Sequence, residues 1–361
     1  MARDTIAVLS TDNLLHNLKK IQQQAPNCKV IAMTKANAYG HGLRSTSLRL
    51  DGHVASLGVA YIDEAIALRQ AGVKCPITLM EGVFNVGEYL VAACENFHVV
   101  LRDYEQLQWL SGSQLPKPIY VWLKVDTGMN RLGFPYEATI EIYNKLRKLP
   151  HLVKDIGLMS HLACADVAEH PHNTMQIDLF KGICQNIVGE KSLCNSAAIY
   201  NFSQHLYDVV RPGLALYGAS PVVGKSAAEL GLKPVMTLQT RLMTIRHAKA
   251  GSYIGYGARY QCQQDMKLGI ISIGYGDGYS RTFRDGTPIL VNGKRCSLVG
   301  KVAMDMTTID LSNCPEAKPG DLVVLWGDGL PIDEVASYSS CSAYDLFCSI
   351  QNRVKFHWTR D

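Results

Sequence analysis

Between about residue 11 and residue 218 the sequence alternates short apolar runs with amphipathic stretches, and nothing else in it restricts the choice of fold so strongly. Such alternation marks repeated strand–helix units around a parallel sheet, whose strands are buried on both faces and read as near-continuous apolar runs. Runs of strand length fall at 29–34, 56–60, 76–80, 98–101, 119–126, 154–162, 191–195 and 209–217. Eight such units predict an α/β fold: a closed (β/α)8 barrel of the TIM type. Leu14, Leu15, Leu18 and Ile21 share one face of the first helix, with Thr11 or Asp12 placed to cap it and Pro26 beyond its end. In 62–72 the helical spacing ends at Gly72, which suits a left-handed C-terminal cap.

After about residue 225 the texture changes to β-rich runs at 235–246, 267–275, 288–310 and 321–325, followed by a helical stretch near 333–350. Val291-Asn-Gly-Lys294 carries the Asn-Gly pair of a two-residue hairpin, where both central positions need positive φ. The expected division is therefore a barrel over residues 1–225 and a mostly β domain over 226–361, with the first ten or so residues free to join the second domain. A chain of 361 residues, 47% hydrophobic and only 19% charged, has the apolar content to build both.

Composition excludes several function classes. A net charge of +4 without a lysine/arginine run argues against nucleic acid as a partner. No segment has the uninterrupted apolar length of a membrane span, and Asp4 interrupts an N-terminal stretch too short for a signal peptide, so a cytoplasmic protein is expected. Eleven scattered cysteines with no Cys-x-x-Cys pair predict reduced, mostly buried thiols and no metal site.

Polar residues at the C-terminal ends of barrel strands are where such folds place their chemistry. Thr34-Lys-Ala-Asn-Ala-Tyr-Gly-His-Gly42 sets Lys35 at the top of the first strand, where partial desolvation favours the neutral amine used in Schiff-base chemistry. By itself a loop lysine is more simply a solvated charge. Lys124-Val-Asp-Thr-Gly-Met-Asn-Arg-Leu-Gly133 brings two cations to a strand end, suited to an anionic substrate or merely to the surface. Met159-Ser-His161 ends another strand on a histidine, a residue more often a satisfied core group than a catalyst. Asn195-Ser-Ala197 and Arg211-Pro-Gly-Leu-Ala-Leu-Tyr-Gly218 end the last two strands, and Ser196 with the Gly213 and Leu214 amides suits a phosphate. Serine as a helix cap is the competing explanation.

Together these segments resemble the alanine racemase family from about residue 5 to 358. The nine-residue lysine segment is similar to that family's cofactor-attachment motif, with Met33-Thr34 in place of a more usual valine-rich lead-in. The resemblance implies pyridoxal 5'-phosphate on Lys35, its phosphate held by Tyr39, Ser196, the Gly213 and Leu214 amides and Tyr344, with Asn195 also on the cofactor. It places Arg211 at the pyridine nitrogen, where a guanidinium that cannot give up its proton makes the ring a weaker electron sink and disfavours transamination. His161 then bridges Arg211 to a catalytic tyrosine, Tyr256, in Gly251-Ser-Tyr-Ile-Gly-Tyr-Gly-Ala-Arg-Tyr260 of the second domain. Tyr275, Met304 and Asp305, in segments matching 273–278 and 300–306, shape the substrate entrance, and Arg131 meets the alanine carboxylate. The family supplies Tyr256 and these entrance residues from a partner subunit, so a head-to-tail homodimer with shared active sites is implied. A lysine matching Lys124 is carbamylated in many members, which would turn it into an anion able to orient Arg131.

The implied chemistry is racemisation of alanine by two bases, Lys35 on the D face and the partner subunit's Tyr256 on the L face. It serves D-alanine supply for cell-wall peptidoglycan and alanine catabolism equally well. Other readings are a racemase of serine or broader range, a barrel-type decarboxylase, a non-catalytic pyridoxal-phosphate-binding barrel and a scaffold. Arg211 opposes the decarboxylase, whose pyridine partner is acidic. The second domain with Tyr256 opposes the binding protein, and so many polar strand ends oppose the scaffold.

Overall fold

In the computed structural model, which describes residues 3–359, eight parallel strands follow one another around a ring. Their order is Val209–Val210, Lys29–Met33, Ser56–Val59, Ile77–Leu79, Phe97–Leu101, Val121–Asp126, Gly157–Met159 and Lys191–Ser192. A bridge between Asn195 and Arg211 joins the last strand to the first and closes the barrel. All but Phe97–Leu101 are shorter than the apolar runs that predicted them; the ends of 154–162 and 209–217, for example, leave the ladder to build loops at the barrel mouth. Inside the barrel, Ile31, Met33, Val100, Trp122, Met159 and Val209 pack as one cluster. A Cβ at Gly157 would lie 2.3 Å from the Trp122 ring, so the glycine is what lets the indole fill the interior. Emptying that volume by Trp122→Ala would cost about 3–5 kcal/mol.

The first helix, Thr11–Gln24, is capped by neither Thr11 nor Asp12. Ser10, the last residue of the strand Ile6–Ser10, is still extended and its Oγ accepts the Asn13 N–H at 3.1 Å, so the cap comes one residue earlier. Asn17 joins Leu14, Leu18 and Ile21 on the buried face, while Leu15 stays half-buried. The Asn17 amide donates to the carbonyls of Leu216 and Lys233, which makes a polar residue tolerable there. Gly72, at φ 99°, follows the helix Ile62–Gln70 in the left-handed region, as read from sequence.

The second domain is an eight-stranded sheet ordered Met266–Ile271, Thr307–Asp310, Lys294–Leu298, Pro288–Val291, Leu322–Trp326, Met236–Ala248, Ile6–Ser10 and Lys355–Thr359. Met266–Ile271 also pairs with Met236–Ala248, so the sheet curls back on itself. Asn292 (φ 49°) and Gly293 (φ 78°) form the hairpin turn between Val291 and Lys294. The run 288–310 breaks into three strands, and the helical stretch 333–350 into the short helices Ile332–Ala336 and Ala343–Cys348. Lys355–Thr359, not foreseen as a strand, pairs in parallel with Ile6–Ser10, which in turn lies antiparallel to Met236–Ala248. Thus the first strand of the chain belongs to the second domain's sheet.

All eleven cysteines are free, but only Cys194, Cys262, Cys296 and Cys314 are buried; Cys94 and Cys348 are exposed. The reading of mostly buried thiols is corrected accordingly. Among the described residues no helix is long and apolar enough to cross a membrane.

Candidate active site

At the C-terminal mouth of the barrel lies a cavity of about 350 Å³, and Lys35 stands on its wall. Directly after Lys35 the backbone turns left-handed for four residues, Ala36 (φ 54°), Asn37 (56°), Ala38 (54°) and Tyr39 (50°). For L-residues each step of this kind costs about 1–2 kcal/mol. Local hydrogen bonds offset it: the Ala36 N–H donates to Glu64 Oε1 and the Leu43 N–H to Asn37 Oδ1, both at 2.8 Å. The second Glu64 oxygen accepts the Ala60 N–H at 2.8 Å, anchoring the turn to the neighbouring strand. As a result the Lys35 amine is 3.4 Å from Glu81 Oε1, and the Tyr39 ring stacks 5.0 Å from Tyr217.

Arg211 is buried, 3% exposed, and no carboxylate pairs with it among the described residues. Its guanidinium donates instead to the Ser192 hydroxyl, to the carbonyls of Ser160 (2.5 Å) and Leu193 (3.3 Å), and to His161 Nδ1 (3.2 Å). Burial pulls it down to about 10, so it remains a cation at neutral pH. His161 is held far below its ordinary value by burial and by Lys124, Arg211, Arg131 and Lys35, and is a neutral imidazole. Since guanidinium only donates, Nδ1 accepts and the ring proton sits on Nε2. What faces Nε2 is the amide nitrogen of Asn195 at 3.4 Å, a second donor, because Asn195 Oδ1 is committed to capping Ala198 N–H. An N–H on the cavity wall is therefore left without an acceptor among the described residues.

Asn195, not Ser196, is the N-cap of the helix Ser196–Asn201, which removes the bland explanation for the serine. Ser196 Oγ accepts the N–H of Gly213 at 2.7 Å and of Ala215 at 3.3 Å, pinning the turn Leu214–Tyr217 beside it. A Cβ at Gly213 would lie 2.3 Å from the Tyr39 hydroxyl, so only glycine admits this approach. Burial pushes the Tyr39 phenol up, keeping it protonated and able to donate. The Tyr344 ring closes this corner 5.9 Å from that of Tyr39. Two hydroxyls and backbone amides converging at one end of the cavity fit a phosphate group.

Lys124 and Arg131 also line the cavity, and Lys124 is held well below its ordinary value by burial, then by Arg211 and Arg131. Asp126 between them is occupied: its Oδ1 accepts the N–H groups of Gly128 (2.8 Å), Met129 (2.9 Å) and Asn130 (3.2 Å), fixing the loop that carries Arg131. Sequence reasoning missed Met80, Glu81, Arg102, Asp126 and Cys348 in the cavity lining. Glu81 and Arg102 follow the strands Ile77–Leu79 and Phe97–Leu101, a position that was the available signal.

Four of the residues singled out from sequence are not brought to the cavity. Tyr256 sits in the turn Tyr256–Ala258 of the second domain, 66% exposed, and Met304 is 52% exposed. Tyr275 and Asp305 lie beside Met304, because the Tyr275 N–H donates to Ala303 O (3.0 Å) and the Gly276 N–H to Met304 O (2.9 Å). Arg353 ties the same pair of loops by bridging Asp305 at 2.6 Å and buried Asp277 at 3.2 Å. Within one chain, then, a polar cavity and an exposed aromatic face carry separate halves of the expected site.

Comparison with known proteins gives this division a context. The sequence matches the alanine racemase N-terminal domain over residues 9–221 and the alanine racemase C-terminal domain over 235–358. Alanine racemases of Legionella pneumophila (strain Lens) and Vibrio cholerae are each 43% identical to it, over 99% and 98% of this chain and 100% and 97% of theirs. A crystal structure of the biosynthetic alanine racemase from Pseudomonas aeruginosa superposes with a TM-score of 0.97 at 38% identity, covering 99% of this chain and 100% of that one. One from Bartonella henselae, with covalently bound pyridoxal phosphate, gives 0.88 at 27%, covering 99% and 100%. A barrel with lysine at its mouth, a curled β domain behind it and full-length likeness to these enzymes lead to one assignment: the chain belongs to the alanine racemase family.

Proposed function

We propose that the protein interconverts L- and D-alanine with pyridoxal 5'-phosphate carried on Lys35, and that a second copy completes each site with its Tyr256, Tyr275, Met304 and Asp305. The reading rests above all on the Nε2–H of His161, which faces the cavity with no acceptor among the described residues. A tyrosine oxygen arriving from outside satisfies it, and Tyr256 is exposed where such an approach is open.

When bound, the cofactor supplies a conjugated ring that spreads the negative charge left on Cα. The chain's own residues do the rest. Tyr39, Ser196, the Gly213 and Leu214 amides and Tyr344 hold the phosphate, with Asn195 beside them. Arg211, a donor-only cation, would face the cofactor's ring nitrogen and, having no proton to give, would leave the ring a weaker electron sink. The Lys35 amine exchanges a proton with Cα on the D face, and the partner subunit's Tyr256 does so on the L face. Arg211 acting through His161 holds the oxygen of that tyrosine in place. Arg131 meets the substrate carboxylate.

Lys124 takes the carbamate form. A neutral amine adds carbon dioxide and releases a proton, and the anion so made neutralises the cluster of Arg131 and Arg211 that otherwise depresses this lysine.

The deciding assay is loss of optical rotation of L-alanine with the purified holoenzyme, run beside L-serine and L-ornithine with gas evolution followed. Loss confined to L-alanine, without gas, is the expected result. Gas from ornithine, or an inert L-alanine solution, overturns the reading.

A further inference from the structure

Among the described residues the cavity wall holds four cations, Lys35, Arg102, Arg131 and Arg211, besides the depressed Lys124, against two carboxylates. One of the two, Asp126, is spent on three backbone amides of its own loop. Both carboxylates act on Lys124 through space, but among the described residues Glu81 alone forms an ion pair with another group lining the cavity, Lys35, at 3.4 Å. Its backbone is fixed on both sides of that contact: Arg102 Nη1 and Gln106 Nε2 both donate to the Glu81 carbonyl, and Gln106 also donates to Val83 O at 2.7 Å. Arg102 is itself laid over the Phe84 ring at 4.9 Å, so the loop carrying Glu81 is braced by the next strand end. The carboxylate makes no other side-chain contact among the described residues, and the pair is partly open to the cavity, at 35% and 24% exposure. A structural ion pair would serve as well on the surface; this one terminates on the amine that the proposed reaction uses.

Resting on the reading given above, we propose that Glu81 is a positioning residue for Lys35. Its carboxylate holds the amine over the D face when the amine is free, and stabilises the ammonium formed once that amine has taken the Cα proton. Glu81 exchanges no proton itself. The proton stays on Nζ and is returned to Cα on the same face or replaced from solvent, so charge and atoms balance between lysine and substrate. Asymmetry follows, because among the described residues no carboxylate is paired with Tyr256: loss of the Glu81 charge slows the lysine face alone.

Two variants test it, Glu81→Gln, which keeps the shape and removes the charge, and Glu81→Asp, which keeps the charge. Racemisation at equilibrium fixes the ratio of forward and reverse kcat/KM, so rates alone do not separate the faces; isotope effects do. With the Glu81→Gln holoenzyme, kcat falls about tenfold with KM within twofold, the isotope effect from Cα-deuterated D-alanine rises and that from Cα-deuterated L-alanine falls. Glu81→Asp restores part of the native pattern. In the cofactor-free protein, acylation of Lys35 followed by peptide mass spectrometry is several-fold faster in Glu81→Gln, since the carboxylate no longer engages the amine. Equal loss in both directions with unchanged isotope effects, or an unchanged acylation rate, overturns the proposal. Retention of the lysine-bound cofactor's absorbance in a Lys35→Ala holoenzyme would instead overturn the underlying reading, so the two failures are told apart.

Discussion

His161 shows how much a single side chain can specify. Its neighbours are cations and a donor amide, so it is forced to be neutral and to keep its proton on Nε2. A ring oxygen that meets this N–H becomes part of a relay ending in Arg211. Tyr256→Phe removes that oxygen: cofactor loading stays intact, while exchange of the L-alanine Cα proton in deuterated water falls by at least about 100-fold. Undiminished exchange would rule the tyrosine out as a base. Lys124 yields a second prediction. In carbon-13 bicarbonate the native protein gives a carbamate carbonyl resonance that Lys124→Ala lacks, and the same substitution raises KM for alanine as Arg131 loses its counter-charge; equal spectra would refute the carbamate. Single residues were legible in sequence where a strand end coincides with a polar motif, as at Lys35, His161 and Arg211. Glu81 and Arg102 were not, because an acid after a three-residue strand is indistinguishable from a solvated loop until the loop is seen folded inward.

At the level of elements, the turn after Lys35 is the part that no periodicity announces. Ala-Asn-Ala-Tyr has ordinary helical composition, yet four consecutive residues take the opposite hand. What holds them is Glu64, which lies in the first turn of the helix Ile62–Gln70 and binds the amides of Ala36 and Ala60. Removing these two charge-assisted bonds by Glu64→Ala is expected to cost about 1–3 kcal/mol, read as a lower urea midpoint, and to loosen cofactor retention by letting Tyr39 swing away. A midpoint unchanged from the native one would show that the turn is held by other means. The barrel strands were readable because burial on both faces leaves continuous apolar runs. Lys355–Thr359 was not, since Lys-Phe-His-Trp-Thr carries too little apolar patterning of its own and is a strand only by pairing with Ile6–Ser10. The cap of the first helix was misplaced by a residue for a related reason: Ser10 serves strand and helix at once.

For the whole molecule, buried imidazoles set the response to acid. Burial holds His41 and His98 down to about 4, and His161 further below its ordinary value. Unfolded, each titrates near 6.5, so between about pH 6.5 and 4 the unfolded chain binds protons that the folded chain refuses. Stability therefore rises with pH across that window, by up to about 1.4 kcal/mol per pH unit for each group, and is lost as the solution is acidified. Urea midpoints measured from pH 7 to 4.5 should fall progressively, and His41→Phe should flatten the slope; a pH-independent midpoint would contradict the assignment.

The parallel pairing of Ile6 with Lys355 has a consequence for biogenesis. Ile6–Ser10 cannot complete its ladder until Lys355–Thr359, far downstream in the chain, has been made. Ala7 and Leu9, wholly enclosed in the finished protein, wait through synthesis beside an unfilled sheet edge. Translation speed and chaperone supply should accordingly govern the yield of active enzyme more than the intrinsic stability of the barrel does.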